Sequence, residues 1–458
     1  MCGIIGIENN DNAAVLVLAG LITLQHRGEE SAGITVSDKK KMKTFKTMGL
    51  VTEFFNKGME ISKFIGTAAI GHVRYTTSAK SSLLNAQPFQ INCIHGNIAV
   101  AHNGNITNFL EIKHKLLKKG AIFNHTSDTE ILLHIIAMSK GVLSNVIKKS
   151  ISDLEGAFSL VILKDKILIG ARDENGFRPL VLGKINNSYI FSSESAAIEV
   201  IGGKYIRDVN PGEIIVIENG QIKQSFLYKK SKKQNTCIFE QVYFSRSDSV
   251  MFGKSVKEAR VKMGEYLGYQ MKNIKADIII PVPETGYFAA VGLSRTLAIP
   301  LEIGFVRNYY VGRSFIKPSQ KLRYLAAKLK FRPIKEVVYG KKIILVDDSI
   351  VRGTTSKILI NILRENGVKE IHFALSCPPI ISSCYYGIDT PSKEYLIAAV
   401  NSWNEIIKYL NIDSLTFLNL NNLIKACSFS NEKNDFFCTS CFTEKYPTKI
   451  PKSTHIIS

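Results

Sequence analysis

One stretch of this 458-residue chain leaves little freedom in what can surround it: KKIILVDDSIVRGTTS, residues 341–356. Ile343 to Val346 form a short solid apolar run, the mark of a strand buried on both faces of a parallel sheet covered by helices. Asp347 and Asp348 follow at its carboxyl end, and Gly353, Thr354, Thr355 and Ser356 make a turn that opens a helix. Ligands of open parallel sheets bind just outside this end of a strand. Backbone amides and hydroxyls at a helix N-terminus suit a phosphate. Adjacent carboxylates suit ribose hydroxyls or a magnesium shell, because Mg²⁺ is held by few carboxylates plus substrate oxygens. The plainer alternative is a capped helix with two solvated acids, and a Gly-Thr-Thr-Ser turn behind an acid pair argues against it.

The flanking segments repeat the alternation: DIIIPVPETG into a helix, then LEIGFVRN, then KILINILRENG and EIHFALSC. Residues 237–458 therefore read as an α/β unit with a parallel sheet. The 341–356 pattern resembles the phosphoribosyl pyrophosphate (PRPP) motif of type I phosphoribosyltransferases. That resemblance implies that Asp347 and Asp348 hold the ribose hydroxyls and Mg²⁺. It gives the 5′-phosphate to the turn, with Ser349, Val351, Arg352, Gly353, Thr354, Thr355 and Ser356. PVPETG, 281–286, would be the loop facing the pyrophosphate, with Thr285 contributing to the metal site. Residues 307–331 are dense in Arg and Lys. They are either a solvated loop or a lid that closes over substrate and excludes water. Arg307, Arg313, Lys328 and Arg332 are the candidates, with Arg307 and Lys328 expected at the PRPP site.

The first half differs. Short β-rich runs (CGIIGI, AAIGHVRYTT, NIAVAHNGNI, AFSLVILKDKILIGARD, YIFSSES) lie between glycines, with helical patterns at 12–25 and 128–140. Ser127 followed by Glu130 predicts a capping box at the second helix. Hairpin-linked strands with segregated helices suggest a layered α+β domain over residues 2–230. The polar YKKSKKQN is the expected linker.

The chain opens MCGIIGI, placing the most reactive side chain directly behind the initiator methionine. Methionine is normally clipped in front of small residues, which would leave Cys2 with both a thiol and a free α-amine, a nucleophile and a base on one residue. HRGEESAGI (26–34), GHVRYTT (71–77), AHNGNITN (101–108) and HTSDTE (125–130) follow in order. With Cys2-Gly3-Ile4 they resemble the N-terminal-nucleophile glutamine amidotransferase domain, an αββα fold. The resemblance implies that Cys2 attacks the glutamine amide and that the Asn103 side chain and Gly104 amide stabilise the oxyanion. It makes Arg74 a fork for the α-carboxylate and Asp128 the partner of the α-ammonium. Arg27 and Thr76 would shape the glutamine pocket, and His26, His72 and His102 read as structural.

The net charge of +20 invites a nucleic-acid reading. The lysines are spread through SDKKKMKTFKTMG and LYKKSKKQN, no recognition motif accompanies them, and a basic RNA-binding module is set aside. A positive field would still attract polyanionic small substrates. No apolar run approaches the roughly 20 residues that span a bilayer, and no signal peptide is evident. The expected location is cytoplasmic, where the eight cysteines serve as metal ligands or catalytic thiols rather than disulfides.

Together the halves resemble the amidophosphoribosyltransferase family, which makes 5-phosphoribosylamine, glutamate and pyrophosphate from glutamine and PRPP in the first committed step of purine synthesis. CIFEQVYFSRSDS (237–249) and GKSVKEARVKMGEYL (253–267) resemble it too. The intact Cys2, Arg74, Asn103 and Asp128 argue against the rival, a regulatory nucleotide-binding protein with a decayed glutaminase half. The family's iron–sulfur subgroup has ligands at positions matching Cys237, Cys384, Cys438 and Cys441, implying a structural [4Fe–4S] cluster. Cys438-x-x-Cys441 by itself fits zinc equally well, and Cys427 is a rival ligand. Cluster-bearing relatives often begin with a propeptide; here methionine removal alone would free Cys2. The family also implies a dimer or tetramer and inhibition by purine nucleotides.

Overall fold

A computed structural model describes residues 1–38, 41–75, 81–230, 233–308, 320–428 and 437–450. Two antiparallel sheets face each other in the first half. The seven-stranded sheet runs Lys204–Asp208, Val181–Ile185, Ser188–Ser192, Gly3–Ile7, Ala68–Arg74, Ser31–Ser37, Met42–Met48. The six-stranded sheet runs Gln221–Leu227, Glu213–Glu218, Ile167–Arg172, Gly156–Lys164, Gly96–Ile106, Phe89–Cys93. Ile4, Ile70, Ala99, Val161, Phe191 and Ile215 fill the layer between them. Helix Ala13–Thr23 covers the outer face of the first sheet. Phe109–Leu117, Glu130–Met138 and Leu143–Ser152 cover the second. This αββα sandwich explains why Gly156–Lys164 is apolar almost throughout: a sheet with a helix layer on one side and a second sheet on the other has no wet face.

The second half is built on a four-stranded parallel sheet, in the order Ile278–Pro281, Lys342–Asp347, Glu370–Leu375, Ser414–Phe417. Alternate residues serve opposite faces. Ile279, Ile344 and Val346 pack with helices Val256–Met271 and Tyr287–Leu297. Ile280, Ile343 and Leu345 pack with Thr354–Glu365 and Trp403–Leu410.

Two local expectations are corrected. The second helix begins at Glu130 with Thr129 as N-cap and no side-chain cap bond. Instead of closing a capping box with Ser127, the Glu130 carboxylate accepts from the Asn124 and His125 amides at 2.8 and 2.9 Å. LEIGFVRN meets the parallel sheet only through a single parallel bridge, Leu301 opposite Ile279. Its strand is only Phe305–Arg307, paired antiparallel with Phe331–Pro333. Val306 points to solvent, so this segment lacks the two buried faces the sheet demands.

Candidate active site

The nucleophile is placed by strand pairing. Gly3 lies opposite Val73, which sets Cys2 against the end of the Ala68–Arg74 strand, with its Sγ 3.8 Å from the Tyr75 carbonyl oxygen. The Cys2 backbone nitrogen donates to Asn103 Oδ1 at 3.3 Å. Asn103 is buried, and its Nδ2 has no hydrogen-bond partner among the described residues. A buried amide N–H without a partner is uncommon and costly. This one lies beside a thiol, with its donor capacity unused. Asp128 reaches the same strand end, accepting from the Ile106 amide at 2.9 Å. Burial works against its charge, while His102 and these hydrogen bonds hold its carboxyl below the ordinary range. Arg74 Nη1 lies 3.3 Å from Glu30 Oε1. Thr76 lies outside the described residues.

Arg27 is held in a buried ion network. Its guanidinium faces no pocket: it donates to Glu194 at 2.6 Å and to Glu240 at 2.9 and 3.1 Å, and its Nε donates to the Cys2 carbonyl at 3.0 Å. Burial disfavours this charge, yet the two carboxylates hold the guanidinium above its ordinary value. Arg27 thus links the Cys2 backbone to a buried ion network. Glu194 also takes His26 at 2.7 Å, and Glu240 takes Arg178 at 3.4 Å. Burial disfavours the Glu194 charge, and His26 and Arg27 hold its carboxyl well below the usual range. His72 is buried against the His102 carbonyl, and burial pushes its ring down to about 3. All three histidines are tied into the scaffold. Sequence reasoning missed Glu194, Glu240 and Arg178; the only signal was charge set inside otherwise apolar runs, as in FSSESAA and CIFEQV.

Met1 is present and 1 % exposed, packed in the core of the second half with Cys237 and Val242 nearby. Burial lowers its amine to about 5. Its Sδ contacts the Arg178 guanidinium.

In the second half, Asp347 ends its strand and Asp348 follows, both buried. Thr285 Oγ1 donates to Asp347 Oδ1 at 3.3 Å, and the Ser349 hydroxyl donates to Asp348. Burial, then the neighbouring Asp348 charge, raises the Asp347 carboxyl well above its usual range, and burial raises Asp348 as well. Two crowded carboxylates of this kind need a cation to stay ionised together. The PVPETG loop lies against this strand: Gly286 sits so close that a Cβ would meet the Val346 oxygen at 2.2 Å. Arg307 Nη1 pairs with Glu284 of that loop at 3.1 Å. Helix Thr354–Glu365 begins directly after Gly353. The Val351 carbonyl accepts from Ile397, and the Arg352 guanidinium lies over the Tyr395 ring. Lys328 stands apart from this turn. Its Nζ pairs with Glu365 at 3.0 Å, at the far end of the helix whose N-terminus forms the phosphate turn. Eleven residues of helix separate the two by roughly 16 Å. Arg313 lies outside the described residues, and Arg332 is exposed on the edge hairpin.

The four expected cluster cysteines lie in one neighbourhood. Cys237 pairs with Cys438 across a short parallel bridge, and Cys384 and Cys441 pack against the same apolar surroundings. All are free thiols. Burial raises the Cys441 thiol well above its ordinary value, followed by the proximity of Cys237, Cys438 and Cys384. Among the described residues no group of three or more His, Cys, Asp or Glu side chains is gathered closely enough to hold a metal ion. Cys427 is buried elsewhere, near Lys254 and Arg260.

Comparison with known proteins agrees with both halves. The family profile described as "Glutamine amidotransferase domain" matches residues 72–200, and "Phosphoribosyl transferase domain" matches 253–413. The amidophosphoribosyltransferase of Archaeoglobus fulgidus is 41% identical over 98% of this chain and 99% of its own. The chain belongs to the amidophosphoribosyltransferase family. The Bacillus subtilis member is 41% identical over 99% of this chain and 95% of its own, and the chloroplastic one of Vigna aconitifolia 44% over 98% and 91%. A solved structure of the B. subtilis glutamine PRPP amidotransferase, complexed with ADP and GMP, matches at a TM-score of 0.93, 41% identical and covering 99% of each chain. The chain is thus a pentosyltransferase of the purine biosynthesis family, with a glutamine amidotransferase domain ahead of a phosphoribosyltransferase domain. No helix among the described residues is long and apolar enough to cross a membrane.

Proposed function

We propose that this chain hydrolyses glutamine at Cys2 and passes the ammonia to PRPP, giving 5-phosphoribosylamine, glutamate and pyrophosphate. The observation that carries the reading is the buried, unpartnered Asn103 Nδ2 beside the Cys2 nitrogen. Once Met1 is removed, that nitrogen becomes an α-amine oriented by Asn103 Oδ1, able to take the thiol proton as the sulfur attacks the amide carbon. Asn103 Nδ2 and the Gly104 amide hold the oxyanion, Arg74 takes the glutamine carboxylate and Asp128 the ammonium. The division falls between 2–230 and 237–458.

Asp347 and Asp348, with Thr285, fit Mg²⁺ because two buried neighbouring carboxylates call for a cation. Mg²⁺ there would neutralise the leaving pyrophosphate. Asp347 and Asp348 orient the ribose hydroxyls, and residues 349–356 receive the 5′-phosphate. Arg307, beside the PVPETG loop, faces the polyanion.

Four free cysteines, Cys237 and Cys438 buried and Cys384 and Cys441 half-buried, with Arg178 beside Cys237 and Cys384, suit an anionic cluster, and we assign them a structural [4Fe–4S] centre, with zinc as the outcome that would replace it. Purine nucleotides as inhibitors, a homo-oligomer and a cytoplasmic setting complete the reading; the nucleotides bound by the B. subtilis relative support the first of these. The test is glutamine hydrolysis with and without PRPP, with metal analysis of the same anaerobic sample. PRPP-stimulated glutaminase, lost in Cys2→Ala, and brown iron-containing protein are expected. Activity surviving Cys2→Ala refutes the nucleophile, and colourless zinc protein refutes the cluster.

A further inference from the structure

Asn103 and Gly104 lie near the open end of the Gly96–Ile106 strand, where their own sheet gives them a neighbour on one side only, Ser159 and Phe158 of Gly156–Lys164. What lies against them on another side comes from the other half of the chain. The backbone of Gly387 approaches Gly104 so closely that a Cβ on Gly387 would sit 3.0 Å from the Gly104 carbonyl carbon and 3.2 Å from its Cα and oxygen. Gly387 has φ +101°, a conformation that side chains resist. Next to it, Asn105 Nδ2 donates to the Tyr385 carbonyl at 2.9 Å. Tyr386 stacks on Phe177, ring centroids 4.0 Å apart at 12°, in a small core with Ala157, the residue paired with Asn105.

The segment doing this is itself held. The Cys384 amide donates to Thr390 Oγ1 at 2.6 Å, and the Tyr386 amide donates to Cys384 Sγ at 3.3 Å. The Tyr446 hydroxyl donates to the Ser383 carbonyl at 2.6 Å, and the Tyr386 hydroxyl lies 2.9 Å from Thr448 Oγ1. A fixed segment pressed on a strand end restrains it, and oxyanion donors lose their value when displaced by fractions of an ångström.

We propose that Cys384–Gly387 of the phosphoribosyltransferase half is a strut for the oxyanion hole, with Gly387 and Tyr385 as positioning residues for the Gly104 and Asn103 donors. The proposal rests on the oxyanion roles assigned above. It predicts a glutaminase defect, from substitutions that disturb the contact between the halves, that falls on the transition state and not on glutamine binding.

The experiment compares Gly387→Ala, Asn105→Ala and Asn103→Ala in the full-length protein. Glutamine kcat and KM are measured together with inhibition by the γ-aldehyde analogue of glutamine, whose thiol adduct carries the oxyanion. Synthesis from PRPP and free ammonia serves as the internal control of folding. For Gly387→Ala a drop in kcat of about tenfold or more is expected, set against the roughly 10²–10³-fold for loss of a whole donor. Aldehyde affinity should weaken by the same factor, while KM and ammonia-dependent synthesis hold within about twofold. Asn105→Ala, which adds no backbone strain, should move kcat and aldehyde affinity the same way by less, and it decides alone if Gly387→Ala does not fold. Unchanged aldehyde affinity in both, while Asn103→Ala loses it, overturns the strut and leaves the oxyanion roles standing. Unchanged affinity in Asn103→Ala removes the oxyanion reading and the strut with it. A matched fall in ammonia-dependent synthesis in both strut variants would show a general structural defect and also overturn the proposal.

Discussion

Replacing Asn103 by alanine should separate catalysis from stability. The side chain makes one hydrogen bond among the described residues, from the Cys2 nitrogen to Oδ1 at 3.3 Å, while Nδ2 is buried without a partner. Deleting the amide removes a hydrogen bond worth about 1 kcal/mol, but it also removes an unsatisfied donor whose burial costs about 1–3 kcal/mol. Folding stability should therefore stay level or rise by up to about 2 kcal/mol. In the transition state the same donor meets an oxyanion, where its loss costs about 10²–10³ in rate, or roughly 2.7–4 kcal/mol. The assay is glutamate release from glutamine in the presence of PRPP, paired with thermal unfolding of the same preparation. The expected result is a kcat lowered by at least about a hundredfold, a KM changed by a small factor, and a Tm within a few degrees of the parent. A kcat within about threefold of the parent, or an unfolding temperature that collapses with the activity, would refute the assignment of Asn103 as a preorganised donor.

Three more outcomes follow from the site. Asp347→Asn should cut phosphoribosylamine formation from free ammonia by about a hundredfold or more while glutaminase measured without PRPP persists; undiminished synthesis contradicts the ribose and metal role. Arg27→Met strands Glu194 and Glu240, both fully buried, and removing one partner of a buried ion network costs about 3–5 kcal/mol. That is a Tm loss of about 3–5 °C for a chain of this size, and a parent-like Tm would show that the network is not needed. Met1-bearing protein should gain stability between pH 5 and 8. The buried amine has a pKa of about 5 against an ordinary 8.0, so over that range the unfolded chain binds the extra proton and folding is penalised as pH falls, by up to about 4 kcal/mol. Urea titrations of Met1-bearing and processed protein should diverge below pH 8, and parallel curves would contradict the burial of that amine.

How much of this was legible in the sequence depended on the range of the interaction. Asp347, Asp348 and the turn at 353–356 are local: one strand ends, a loop follows, a helix begins, and all three events are spelled within sixteen consecutive residues. A layered α+β first half could be expected from its hairpin-linked strands and segregated helices, and the αββα order only from the resemblance. The Arg27 network was not legible, since its partners lie 167 and 213 positions away and nothing near Arg27 shows whether its guanidinium meets a ligand or a buried carboxylate. The Lys328 pairing was equally silent, because Glu365 lies on a separate helix 37 positions away. Glu130 shows that a capping pattern is only an opportunity, here outcompeted by two amides of the preceding loop. Gly387 was silent in sequence because its role exists only where the two halves touch.

The central claim is that amide nitrogen freed at Cys2 becomes the amine of the sugar product. The most direct measurement supplies glutamine labelled with ¹⁵N in its side-chain amide, together with PRPP and an excess of unlabelled ammonium, and follows the isotope into phosphoribosylamine by mass spectrometry. The account predicts product carrying ¹⁵N well above the level set by the mixed pool, and, in Cys2→Ala, unlabelled product at an undiminished ammonia-dependent rate. Label entering product from glutamine in Cys2→Ala would contradict it.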